Sequence, residues 1–291
     1  MWPKVRCQKR YFFLIFLSLF CTSAFALAQT GIIYGSNPKA GHYVHVNGIE
    51  LYYEVYGSGH PLLLMHGNGG SIYAFRYQIP AFAKHFKVIA VDSRAQGRST
   101  DSNAKLTFSL MASDMAGLLD SLNIDSAYIV GWSDGAIIGL KLALDYPQKV
   151  AKLVADGANF VPDSTALPES MIEDMRNTSF VKLNPATRQE IIKHSFFPDR
   201  AGIIFDKLNE LDLKHPHFTL EQLHSVQAPT LVMAGDHDII IDTHTLKLFH
   251  ALPHSELCIV PATHHNLLQE KPALANQIII NFLEKPFVDM K

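Results

Sequence analysis

The ten residues Ile129-Val130-Gly131-Trp132-Ser133-Asp134-Gly135-Ala136-Ile137-Ile138 decide how the chain is read. A polar pair, Ser133 and Asp134, sits between two glycines in an otherwise apolar stretch. Residues 127–130 before it are an apolar run with the length of a buried strand. After it, Ile137, Leu140 and Leu144 fall at helical spacing. The pattern predicts a tight strand-to-helix turn with Ser133 projecting above the end of a sheet. Gly131 and Gly135 leave room for that turn and for close packing of helix on strand.

The same alternation extends outward. Residues 62–65, 87–91, 152–155, 230–234 and 256–260 are further apolar runs that read as buried strands. Amphipathic stretches lie between them, such as Phe108, Met111, Met115, Leu118, Leu119 and Leu122. Strands alternating with helices predict parallel β-α-β units, and near-continuous apolar runs suit strands covered on both faces. Residues 43–56 alternate around Asn47-Gly48, a hairpin signal. Residues 159–227 break the rhythm. They carry Pro162, Pro168, Pro185, Pro198 and Pro216, with helical segments at 170–177, 187–196 and 201–211. A strandless stretch of this length inside an α/β domain predicts a helical insertion over the sheet. Its phenylalanines, Phe160, Phe180, Phe196, Phe197, Phe205 and Phe218, are expected to supply apolar walls for a pocket.

The 291 residues are 48% hydrophobic with a formal net charge of −2, enough for a large core and without the basic footprint that nucleic acid requires. At the N-terminus, Lys4, Arg6, Lys9 and Arg10 precede an uncharged stretch, 11–28, that ends in Ala24-Phe25-Ala26-Leu27-Ala28. This predicts a signal peptide over residues 1–28, cleaved after Ala26 or Ala28, and an exported, periplasmic or secreted domain. The alternative is an uncleaved membrane anchor, since the stretch is long enough to span a bilayer. In either case membrane contact is confined to that segment. The expected division is 29–158 for the first part of the core, 159–227 for the cap and 228–291 for the second part. Of three cysteines, Cys7 and Cys21 fall in the targeting segment, so Cys258 has no intrachain partner. The 15 histidines show no H-E-x-x-H or Cys/His spacing, so neither a metal nor a cofactor is expected.

A serine hydroxyl becomes a nucleophile only with a general base, and the base needs an orienting carboxylate. Candidates stand after two predicted strands, where open parallel sheets gather their catalytic groups. Gly235-Asp236-His237-Asp238 follows residues 230–234, and Pro261-Ala262-Thr263-His264-His265-Asn266 follows 256–260. On residue type alone either aspartate and either histidine would serve. His66-Gly67-Asn68-Gly69-Gly70, after residues 62–65, is a loop whose glycines let the backbone approach a ligand, and it lacks the lysine of a phosphate loop.

Taken with Val91-Asp92-Ser93-Arg94-Ala95-Gln96-Gly97-Arg98-Ser99, these segments resemble the α/β-hydrolase superfamily over residues 43–283. The resemblance implies a mostly parallel eight-stranded sheet with helices on both faces and a small helical cap. It implies Ser133 as nucleophile, followed in chain order by the acid and then the histidine. The Gly-x-x-Asp pattern of that fold selects Asp238, leaving Asp236 to cap the turn. His265 is selected because it stands five residues before Glu270-Lys271-Pro272. The backbone N–H groups of Asn68 and Asp134 are implied as the oxyanion hole. Ala95 departs from the family, which usually has glycine there, in a structural loop.

Gly-Trp-Ser-Asp-Gly, with Asp156-Gly157-Ala158-Asn159 and His265-Asn266-Leu267, further resembles the valacyclovirase (biphenyl hydrolase-like) branch, which hydrolyses esters of α-amino acids. Asp134 is then the candidate receptor of a substrate ammonium, with Trp132 as a second candidate substrate-binding residue. The expected partner is a small-molecule acyl substrate: an ester, amino-acyl ester or lactone. Carbon–carbon bond hydrolysis and perhydrolysis on the same fold are the alternatives, and a non-catalytic ligand-binding protein is the alternative of another class. Epoxide and haloalkane hydrolases of this fold use an aspartate nucleophile, so Ser133 argues against both.

Overall fold

The computed structural model describes residues 32–288; the expected signal peptide lies outside them. Eight strands form one sheet: β1 (Gly41–Val46), β2 (Ile49–Tyr56), β3 (Pro61–Met65), β4 (Lys87–Val91), β5 (Ala127–Trp132), β6 (Val150–Asp156), β7 (Thr230–Gly235) and β8 (Ser255–Val260). Their order is β1-β2-β4-β3-β5-β6-β7-β8. β1 and β2 pair antiparallel, as do β2 and β4; the remaining pairs are parallel. At the β1–β2 hairpin Val46 pairs with Ile49, leaving Asn47 (φ 44°) and Gly48 (φ 75°) as a two-residue turn with both residues left-handed.

The pleat divides each apolar strand between two layers. Leu63, Met65, Ile89 and Ile129 face α1 (Phe108–Ser121) and α2 (Asp134–Asp145). Leu62, Leu64, Val88 and Val130 face the other side, where the one-turn helix Ile79–Phe82 and a long C-terminal helix, Pro272–Glu284, cover them. Side chains such as Leu62, Leu63, Leu64 and Ile129 are fully buried, each worth about 1.5–3 kcal/mol against exposure. Thr107 starts α1 by accepting the N–H of Leu110 on its side chain.

Between β6 and β7 the ordered elements are helical: α3 (Glu169–Asn177), α4 (Pro185–His194), α5 (Ala201–Lys214) and α6 (Leu220–His224). Ile204, Leu208 and Leu211 of α5 pack into the core layer that holds α1 and α2. Asp101, whose side chain is 1% exposed, accepts 2.6 Å hydrogen bonds from both Arg200 and Lys207, tying this segment to the loop after β4. Beyond it, α7 (Asp242–Ala251) leads to β8, and the C-terminal helix is α8.

Two expectations change here. Phe196 is not a pocket wall. It is 47% exposed and carries the guanidinium of Arg98 4.5 Å above its ring. Phe160 and Phe218 are core residues, the former stacked on His244 at 3.9 Å. Ala95 has φ 66°, the left-handed conformation that explains a preference for glycine at that place.

Candidate active site

Ser133 ends β5 and opens α2 with φ 57° and ψ −122°, a strained backbone for an L-residue, costing on the order of 1–3 kcal/mol. Packing enforces that geometry. A Cβ at Gly131 would collide with the backbone of Gly135, and one at Gly135 with the carbonyl of Met65. Ser133 is further fixed by its N–H, which donates to the Asp156 carbonyl at 2.8 Å. The turn thus lifts the hydroxyl clear of the sheet and holds it there.

Three strand ends meet at this point. Ser133 Oγ lies 2.9 Å from His265 Nε2, and His265 Nδ1 lies 2.7 Å from Asp238 Oδ1. Asp238 follows β7 and His265 follows β8. Both are buried, and the Ile240 N–H also donates to Asp238 Oδ1. Burial opposes a charge on Asp238, but the facing His265 and these hydrogen bonds outweigh it and hold its pKa below the ordinary carboxylate value. An anionic Asp238 fixes the tautomer in which Nδ1 carries the proton, leaving Nε2 to accept from the serine hydroxyl.

The neighbouring candidates lie elsewhere. Asp236 Oδ1 accepts the Thr263 N–H at 3.2 Å, bracing one turn against the other. His264 is exposed and its ring meets Glu270. Trp132 is 3% exposed, and its indole N–H donates to the His265 carbonyl at 2.7 Å. Its observed contacts are thus with the base and the core.

Gly67 brings the loop after β3 against the serine; a Cβ there would lie 3.4 Å from Ser133 Oγ and 2.9 Å from its Cβ. His66 braces that loop: Nδ1 donates to the Gly67 carbonyl at 2.8 Å and Nε2 accepts the Ser93 N–H at 3.0 Å. Complete burial lowers its pKa to about 4, the bond to Gly67 opposing only in part, so the ring is neutral at pH 7. Among the described residues, the backbone N–H groups of Asn68 and Asp134 have no acceptor in the protein. Two unpaired donors, one on the residue after Gly67 and one on the residue after Ser133, are the kind of group a developing oxyanion requires.

Two carboxyls that the sequence reading passed over belong to the site. Asp212, from α5, lies against Asp134, and the side-chain amide of Asn68 reaches both, at 3.0 Å and 3.2 Å. Asp156, at the end of β6, is fully buried; burial and then the nearby Asp238 charge raise its pKa well above the ordinary value. Asp156 stands in the quoted Asp156-Gly157-Ala158-Asn159 segment, but nothing in the local pattern marks Asp212.

A family model described as alpha/beta hydrolase fold matches residues 60–215, and the chain belongs to that family. It is a hydrolase of the α/β fold. It is similar to a putative carbamate hydrolase, RutD, from Azorhizobium caulinodans, at 26% identity over 82% of this chain and 97% of the relative. It is also similar to the human serine hydrolase BPHL, at 28% identity over 83% of this chain and 85% of the relative. Among solved structures, the enol-lactonase from Burkholderia xenovorans LB400 shares the fold with a TM-score of 0.68 at 21% identity, covering 84% of this chain and 100% of that one.

Proposed function

We propose that the protein is a serine hydrolase that cleaves a small carboxylic ester, or a closely related acyl bond, through an acyl-enzyme on Ser133. The observation that carries this reading is the position of His265, bonded at once to Ser133 Oγ and to Asp238 Oδ1. In the first half-reaction Ser133 Oγ attacks the carbonyl carbon while His265 Nε2 takes its proton. The carbonyl oxygen, now negative, is received by the N–H groups of Asn68 and Asp134. His265 then protonates the leaving alcohol as the carbon–oxygen bond breaks. In the second half-reaction His265 removes a proton from water, which attacks the acyl carbon and releases acid and free serine. The bonds after which the putative carbamate hydrolase and the enol-lactonase are named share a carbonyl carbon bearing a heteroatom leaving group, which supports this reading. The N-terminal pattern supports action outside the cytoplasm.

A second reading has one observation in its favour. Asp134 lies one residue from the nucleophile, 4% exposed, and among the described residues no lysine or arginine is bonded to it or to Asp212. An ammonium on the acyl group would compensate that charge, making the substrate an amino-acyl ester. The test is a panel of p-nitrophenyl and amino-acyl esters of graded size, with Ser133→Ala as control. Turnover of plain esters that vanishes in Ser133→Ala is expected. A tenfold greater loss on amino-acyl than on plain esters in Asp134→Ala supports the ammonium site, whereas equal losses reject it. Ester turnover undiminished in Ser133→Ala rejects the reading as a whole.

A further inference from the structure

The side chains of the two residues that offer the free N–H groups converge on a single residue of α5. Asn68 Nδ2 donates to Asp212 Oδ1 at 3.0 Å, to Asp134 Oδ2 at 3.2 Å and to the Leu208 carbonyl at 3.3 Å. Asn68 follows Gly67, where an added Cβ would stand 2.9 Å from that of Ser133, and Asp134 follows Ser133 directly. The oxyanion donors are thus held from above by an element outside the sheet. We propose that Asp212 is a positioning residue: from α5 it holds Asn68 and Asp134, and with them the two backbone N–H groups that receive the oxyanion, in register with Ser133. This rests on the serine hydrolase reading and adds to it a dependence of turnover on a residue that touches no reacting atom.

The charge state of the pair follows from its surroundings. Asp134 on α2, Asp212 on α5 and His265 after β8 are the titratable groups that face one another here; Asn68 is neutral. Burial and then the Asp134 charge raise the pKa of Asp212 well above the ordinary value. Burial raises that of Asp134 to about 6, against the stabilising contacts of Asn68, Asp212 and His265. Adjacent buried carboxyls do not both ionise readily, so at neutral pH the pair carries one proton, held by Asp212 and donated to Asp134. Its loss at high pH would set two anions face to face beside the oxyanion site. Turnover then falls on the alkaline side, in kcat more than in KM.

The test uses a neutral ester, p-nitrophenyl acetate, with kcat and KM measured from pH 6 to 10 for wild type, Asp212→Asn and Asp212→Leu. Asparagine keeps an acceptor for Asn68 and a donor for Asp134 but does not ionise. It is expected to rescue most of the turnover that leucine loses, on the order of tenfold or more in kcat, and to remove the alkaline limb due to the pair. Wild-type kcat in Asp212→Leu, or an unchanged alkaline limb in Asp212→Asn, overturns the proposal. If the leucine variant does not fold, the pH profile of the asparagine variant decides alone. Fluorophosphonate labelling of the wild type separates the two levels: an unlabelled Ser133 defeats the serine hydrolase reading, whereas a labelled Ser133 with an indifferent Asp212 defeats only this inference.

Discussion

Gly157→Ala probes the His265 position from the sheet side. Gly157 has φ 66°, and a Cβ on it would stand 2.7 Å from His265 Cε1 and 2.9 Å from Nδ1. The left-handed backbone alone costs alanine about 1–2 kcal/mol. Ordinary carbon contacts need about 3.5 Å, so the imidazole must retreat by about 0.8 Å. The ring is hydrogen-bonded at both nitrogens and 5% exposed, so it has little room to slide without breaking a bond. The 2.9 Å bond to Ser133 would stretch beyond hydrogen-bond reach. A misplacement of about 1 Å costs up to ~10²-fold in rate, and a loss of that order in kcat/KM is expected. The assay is initial-rate hydrolysis of p-nitrophenyl acetate, with thermal unfolding to report the backbone penalty separately. A folded Gly157→Ala variant with wild-type kcat/KM would refute this account of His265 and its surroundings.

Other perturbations address single links. Asp238→Asn should reduce kcat by about 10³–10⁴-fold, because the wrong imidazole tautomer is favoured, whereas His264→Ala should stay within about threefold of wild type; steady-state rates distinguish them. His66 has a folded pKa of about 4 against about 6.5 unfolded, so its neutral burial contributes stability that is present above pH 6.5 and lost as pH falls towards 4. The urea-derived stability gap between wild type and His66→Gln should accordingly narrow by about 2 kcal/mol from pH 7 to pH 5. Asp101→Asn leaves Arg200 and Lys207 without their shared carboxylate, so about 1–3 kcal/mol of stability and faster proteolytic cleavage within residues 159–227 are expected.

What the sequence made legible was local. The strand runs, the Asn47-Gly48 turn and the Gly131–Gly135 elbow are each determined by neighbours a few residues away, and the structure places strands within two residues of the expected limits. The elbow could be read because glycine is required where backbone meets backbone. Asp212 could not. It lies on an amphipathic helix where an aspartate reads as a solvated face, and only the seating of α5 on Leu208 and Leu211 turns it toward Asn68. Phe196 misled in the opposite sense: a large apolar side chain suggested a pocket wall, but Arg98, distant in sequence, covers it on the outside. The helices α7 and α8 also escaped the pattern reading. In α7 only His244, Thr245 and Leu248 are buried, too few to form an apolar stripe.

The central claim is an activated hydroxyl at residue 133. Intact-mass spectrometry after brief exposure to a fluorophosphonate, followed by peptide mapping, measures it most directly. One adduct per chain, on Ser133 and absent from a folded His265→Ala variant, is the result this account predicts. No adduct, or an adduct on another side chain while Ser133 stays free, would contradict it.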